Sequence, residues 1–296
     1  MNIGYVKLRK KRQAGRKRTK VLWENLKFMF YNITNRVEND KNNDKVFYIT
    51  NFNDISLRKL RKKLNDKKIE YALVENDYSI GYPTLNGKNF IKNMIPEVVE
   101  LCSKAIKPVI DEVYVCTNIF NQNNIAIIEE LTSMVKVVNV VTNNQNYYKL
   151  ERKLEEKDIF ITVSSNRRKS LKKAYITINL DLKNFNEYNI NRNMIIIDAS
   201  ESVAVPKSFN GIIIRRITID TKKVLRVFSE FEDFDKQELI EVEMIKLADY
   251  NEIRKFIKSN RIYISGLYNI RKIDMKEFTR IREIQSKQHK KRTPLA

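Results

Sequence analysis

The chain has 296 residues, 42% apolar and 31% charged, with a formal net charge of +21. That balance supports a folded chain with sizeable cores and argues against disorder, and no run reaches the roughly 18–20 apolar residues of a membrane span. Two cysteines, Cys102 and Cys116, are too few for a disulfide scaffold or a Cys-based zinc site, so a reducing, cytoplasmic setting is expected.

Residues 1–20 hold Lys7, Arg9, Lys10, Lys11, Arg12, Arg16, Lys17, Arg18 and Lys20 and no acid, a charge of +9. Like charges in a block repel one another, and the sequence predicts a disordered basic tail here. Each phosphate neutralised by such a tail releases counterions, so RNA or DNA is the favoured partner and an anionic membrane surface the alternative. The stretch VLWENLKFMFYNITNRV then sets Leu22, Leu26, Met29, Ile33 and Val37 at helical spacing, flanked by Trp23 and Phe30. It reads as an amphipathic helix that docks on the core or lies in a membrane interface. Glu24, Asn25 and Lys27 interrupt it too early for a secretory signal.

After the polar linker NDKNND comes a small β-α-β unit. A strand is predicted at 45–50, a helix from Asn53 or Asp54 through SLRKLRKKLNDKK, and a strand at 69–75. A loop with Gly81, Pro83 and Gly87 precedes a helix over about 88–105 that stops before Pro108. The amphipathic helix and this α/β unit make up residues 21–106.

Over 107–220 strands alternate with helices. Strands are predicted at 112–117, 135–142, 158–165, 175–181, 194–200 and 211–220, with helices at 124–135, 144–157 and 167–174. Alternation of this kind implies parallel strands with helices on both faces, joined by right-handed crossovers. Residues 221–284 read as helices, with Leu239, Ile240, Met244 and Leu247 at helical spacing, and 285–296 as a second basic tail. The expected fold is α/β: a doubly wound, mostly parallel, Rossmann-like sheet preceded by a small α/β unit and followed by a helical C-terminal region.

Four strands end in polar residues: Thr117-Asn118, Thr142-Asn143-Asn144, Ser164-Ser165-Asn166 and Asn179-Leu180-Asp181. In a parallel sheet these ends share the edge where ligands bind. Thr117, Asn118, Asn143, Asn144, Ser164 and Ser165 are therefore the candidate cofactor contacts, with helix capping as the competing use of the same side chains. If a helix starts after Ser165, its free N–H groups together with Arg167 and Arg168 would hold a phosphate or an RNA backbone. Asp181, Asp198 and Asp220 fall near strand ends and would suit Mg²⁺ only if they converge; no metal is expected. The sole histidine, His289, lies in the C-terminal tail, Cys116 sits within a predicted strand, and neither GxxxxGK[ST] nor GxSxG occurs. No catalytic residue is assigned.

Residues from about 105 to 200 resemble the Rossmann-type nucleotide-binding domain of the shikimate dehydrogenase-like class, which likewise follows a smaller N-terminal α/β domain. VVNVVTNNQNYYKLERKL is similar to the strand, turn and helix that contact the adenosine ribose or its phosphate, and the resemblance puts Asn143 or Asn144 there. DIFITVSSN is similar to the strand bordering the nicotinamide. The resemblance implies an NAD(P)-dependent oxidoreductase. The first turn, CTNIFNQNNIA, departs from that class because it has no glycine, and Ile119 and Phe120 put side chains where a diphosphate would lie. The expectation is a degenerate Rossmann-like domain, without cofactor, in a non-catalytic binding protein whose basic termini engage a polyanion. The alternatives are the oxidoreductase and a peripheral membrane protein anchored by residues 1–37.

Overall fold

The structure is a computed structural model. It describes residues 3–8, 37–39, 45–49, 54–75, 79–85, 90–106, 111–165, 170–200, 203–225, 227–228, 231–232, 234–247 and 249–290. In chain order the strands are β1 (Ile3–Leu8), β2 (Val37–Asn39), β3 (Lys45–Ile49), β4 (Tyr71–Val74), β5 (Glu112–Cys116), β6 (Val137–Thr142) and β7 (Ile161–Ser165). They continue as β8 (Ser170–Leu171), β9 (Ile176–Asn179), β10 (Asn189–Ile190), β11 (Ile195–Asp198), β12 (Ile212–Ile214), β13 (Arg216–Thr221) and β14 (Ile262–Tyr268). The helices are α1 (Asp54–Asp66), α2 (Phe90–Asn93), α3 (Ile95–Ile106), α4 (Gln122–Thr132), α5 (Asn146–Glu155), α6 (Lys236–Ile245), α7 (Tyr250–Asn260) and α8 (Met275–Lys290). Among them none is long and apolar enough to cross a membrane.

The chain divides into two compact units, Met1–Gly87 with Val224–Leu247 and Lys88–Lys223 with Ala248–Ala296. This differs from the expected boundaries. The second division falls between α6 and α7, inside the region read as one helical domain, where Asp249 caps α7 by accepting from the Glu252 N–H at 2.9 Å.

In the first unit a four-stranded sheet has the order β2-β3-β1-β4. β1 runs parallel to both β3 and β4 and lies between them. The disordered tail expected from residue 1 is thus corrected for residues 3–8. Strand alternation explains why: Ile3 and Tyr5 face one core with Phe231, Phe234, Leu239 and Val242, and Val6 faces the other with Leu60, Leu64 and Ile69. The apolar set Ile3, Tyr5 and Val6 outweighs the adjoining bases. Lys7, expected to contact phosphate, instead places its ammonium 5.3 and 5.5 Å from the ring centroids of Phe231 and Phe234. Val37, expected at the end of the amphipathic helix, begins β2, which pairs antiparallel with β3. Arg9, Lys10, Lys11, Arg12, Arg16, Lys17, Arg18 and Lys20 lie outside the described residues, as do the other helix positions Leu22 to Ile33.

In the second unit six parallel strands have the order β12-β11-β9-β5-β6-β7. Numbered within this sheet and read from β7, the order is 3-2-1-4-5-6, that of a doubly wound, Rossmann-like sheet. Ile176, Ile178 and Ile195 to Ile197 are almost wholly buried, as strands covered on both faces require. Two sequence expectations fail. Residues 170–171 form the short strand β8, paired with β10, where the helix 167–174 was expected. The region expected to be all helical contains β14, which pairs antiparallel with β13. Gly266 leaves room across that pairing, since a Cβ there would stand 2.7 Å from Thr218 Oγ1. At the C-terminus α8 runs to Lys290, into the stretch read as a basic tail.

Candidate functional site

The boundary between β5 and β9 is the point at which the crossovers diverge, and the crevice outside the strand ends there is where doubly wound sheets bind ligands. The first turn leaves β5 at Thr117, and Asn121 caps α4 by accepting from the Asn124 N–H at 2.8 Å. No residue between Thr117 and Asn124 has a positive φ, so this turn is built without the conformation that glycine favours.

Across the boundary, just beyond β9, stands Asp181. Its Oδ1 accepts from the Asn118 N–H at 2.8 Å, and its Oδ2 from the Ile119 N–H at 3.2 Å and from the Thr117 hydroxyl. Successive backbone N–H groups converging on one anion form the kind of nest that holds phosphates elsewhere. Here the chain supplies the anion itself. Lys92 lies within electrostatic reach: burial pushes its pKa down, and the charge of Asp181 acts against that shift.

The other rim amides fasten this turn to the next one. Asn118 Oδ1 accepts from the Asn143 N–H at 2.9 Å, and Asn144 Nδ2 donates to the Asn118 carbonyl at 3.0 Å. Ile119 O accepts from Asn124 Nδ2 at 2.9 Å and from the Tyr147 hydroxyl at 2.8 Å. Asn144 Oδ1 accepts from the Asn146 N–H at 3.0 Å, which helps to start α5. Four of the six expected cofactor contacts, Thr117, Asn118, Asn143 and Asn144, are therefore brought together, but they hold one another and Asp181. Ser164 and Ser165 end β7, two strands from β5 and thus about 10 Å away at ordinary strand spacing. Arg167 and Arg168 lie outside the described residues.

The three aspartates do not converge. Asp198, fully buried, accepts from Asn179 Nδ2 at 2.9 Å, Ser200 Oγ at 2.7 Å and the Val203 N–H at 3.0 Å, and faces Arg215 Nε at 3.4 Å. Asp220 accepts from the Thr221 N–H on β13. Among the described residues no group of three His, Cys, Asp or Glu side chains could hold a metal ion. Cys116 is buried, and burial raises its pKa, so it stays a thiol at neutral pH.

No family model matches the chain, and none of the curated proteins is similar to it. Among solved structures it is similar to shikimate 5-dehydrogenase from Listeria monocytogenes in complex with shikimate and NAD. The identity is 10% and the TM-score 0.30, over 86% of this chain and 96% of that one.

The role of Asp181 could not be read from its position in sequence, because it lies 63 residues from Asn118. Its replacement by alanine leaves the Asn118 and Ile119 N–H groups without their acceptor. Unpaired polar groups of this kind cost about 1–3 kcal/mol each when buried and less where water reaches them. The urea midpoint of Asp181→Ala is expected to fall by an amount equivalent to about 1–3 kcal/mol. An unchanged midpoint would mean that water replaces the carboxylate without loss.

Proposed function

We propose that this chain, which has a degenerate Rossmann-like domain, is a non-catalytic protein that binds a polyanion, RNA or DNA, through its basic segments. The observation that carries this reading is the solvent face of α1. Arg58, Lys59 and Lys62 are exposed there, opposite the buried Ser56, Leu60 and Leu64. Burial, and then the like charge of Lys59, push the pKa of Lys63 down. Like charges at i and i+4 repel, and a chain of phosphates relieves that repulsion while releasing its own counterions. Eight further bases lie between Arg9 and Lys20, directly after β1 in the sequence. The oxidoreductase reading has less support, because Asp181 occupies the N–H nest that a diphosphate would need.

The test is the salt dependence of duplex DNA binding by the full chain. Each phosphate contact contributes about −0.9 to the log–log slope. Alanine at Arg58, Lys59 and Lys62 together is expected to flatten the slope by about 2–3. Glutamine at the eight bases of residues 9–20 is expected to flatten it by several units. A slope that neither set changes overturns the proposal, and so does micromolar binding of NAD⁺ or NADPH in a calorimetric titration.

A further inference from the structure

The helix layer of the second unit carries a groove of about 910 Å³ between α4, α5 and α7. Its floor is apolar, with Ile125, Ala126, Leu150 and Leu154. Lys149, Lys153 and Lys157 line one wall at intervals of four residues, and Lys258 comes from α7. All four are exposed and make no ion pair with any described residue. The groove also contains Glu129 and Asp249, while Glu130 is paired with Arg254. Phe120 lines it as well. The residue is 38% exposed, and its ring makes an edge contact with the fully buried Tyr147 at 5.0 Å and 80°.

From this juxtaposition we infer that the groove binds single-stranded nucleic acid, a deepening that rests on the polyanion reading above. Sequence-tolerant single-strand sites combine a basic groove for the backbone with an aromatic platform on which bases stack. Lysines four residues apart on a helix are about 6 Å apart along its axis, close to the separation of neighbouring phosphates in an extended strand. Lys149 and Lys153 meet this spacing on α5, and Lys157 follows in the turn beyond it. Phe120, partly exposed, offers a base an aromatic side chain, and the exposed residues Asn123, Asn146 and Asn251 offer amides for base edges. The volume lies at the upper end of the roughly 300–1,000 Å³ of small-ligand clefts. It has room for a few nucleotides and none for a duplex. An acidic peptide would also meet the lysines but would make no use of a stacking platform.

The experiment titrates the full chain with a fluorescently labelled eight-nucleotide single strand and with a duplex of the same length, read by anisotropy. Phe120→Ala is expected to weaken single-strand binding about 5- to 150-fold, the range for loss of one stacked base, and to leave duplex binding unchanged. Lys149→Ala, Lys153→Ala and Lys258→Ala together should flatten the single-strand salt slope by about 2, at about 0.7 per phosphate. All four side chains are exposed, and circular dichroism verifies that each variant is folded. Photo-crosslinking of the strand to Phe120 or its neighbours would support the site. The inference is overturned, with the polyanion reading intact, if these variants bind like the parent while neutralising residues 9–20 removes binding. It is also overturned if duplex and single strand weaken equally, or if poly-glutamate competes as well as the oligonucleotide. Binding of neither nucleic acid by the parent chain removes both proposals.

Discussion

Replacing Arg254 with methionine is expected to lower the stability of the second unit by about 3–5 kcal/mol, the usual penalty when one partner of a buried ion cluster is removed. Its guanidinium joins three helices. Nη2 lies 2.7 Å from Glu97 Oε1 on α3 and 2.7 Å from Glu130 Oε1 on α4. Nε donates to Glu130 Oε1 at 3.0 Å and Nη1 to Glu97 Oε2 at 2.9 Å. The Tyr250 hydroxyl donates to Glu130 Oε2 at 2.8 Å. With only 10% of the Arg254 side chain exposed, its loss leaves two largely buried carboxylates without a cation. Lysine at this position cannot restore the fork, because a single ammonium lacks its planar set of donors. Adding Glu97→Gln and Glu130→Gln to the methionine variant should recover much of the loss. Urea denaturation measures both effects, and a single variant within 1 kcal/mol of the parent, on the order of an ordinary surface change, would show that water compensates the carboxylates.

The same cluster sets a pH dependence. Burial first, and then the charge of Glu130, raise the pKa of Tyr250. The folded state therefore retains the phenolic proton after the unfolded chain has lost it. Stability from this group is fully present below the unfolded value of about 10 and declines as pH rises above it.

The second large effect concerns β1. Tyr5 is fully buried, its ring stacked on Phe231 at 4.0 Å and 7° and set edge-on to Phe234 at 5.8 Å. Tyr5→Ala is expected to destabilise the first unit by about 3–5 kcal/mol, as for other large aromatic deletions in cores. Deleting residues 1–20, a natural choice if they were a loose tail, also removes the strand that hydrogen-bonds to both β3 and β4. That truncation should abolish the near-UV signal of the first unit. A truncated chain that retained the signal and the parent's urea midpoint would show that β3 and β4 can pair without β1. For this reason the basic residues after β1 are best tested by substitution, with the strand left in place.

Much of the second unit was legible in the amino-acid sequence because its strands are short apolar runs bounded by polar turn residues. EVYVC, VVNVVT and MIIID are each recognisable alone, and the helices between them show amphipathic spacing. β1 was not legible. Its four apolar side chains, Ile3, Tyr5, Val6 and Leu8, adjoin a block of bases, and only pairing with β3 and β4 and burial against Phe231 and Leu64 outweigh that charge. β14 was hidden by the helical segments around it, and only its antiparallel pairing with β13 reveals it.

At the switch point the sequence by itself determined the chemistry on offer: amides, hydroxyls and carboxylates at the strand ends, a first turn without glycine, and a large surplus of positive charge. Only the tertiary structure decided how those groups are used. Sheet order places β9 beside β5, and so brings Asp181 to the N–H groups of Asn118 and Ile119 and ties Asn143 and Asn144 to Asn118. Helix packing likewise brings Glu97, Glu130 and Arg254 together from positions 33 and 124 residues apart. Hydrogen bonds and buried ion pairs act over about 3 Å, so their partners are set by which elements are neighbours in space. Local residue pattern determines the elements, and burial of their apolar faces determines the neighbours.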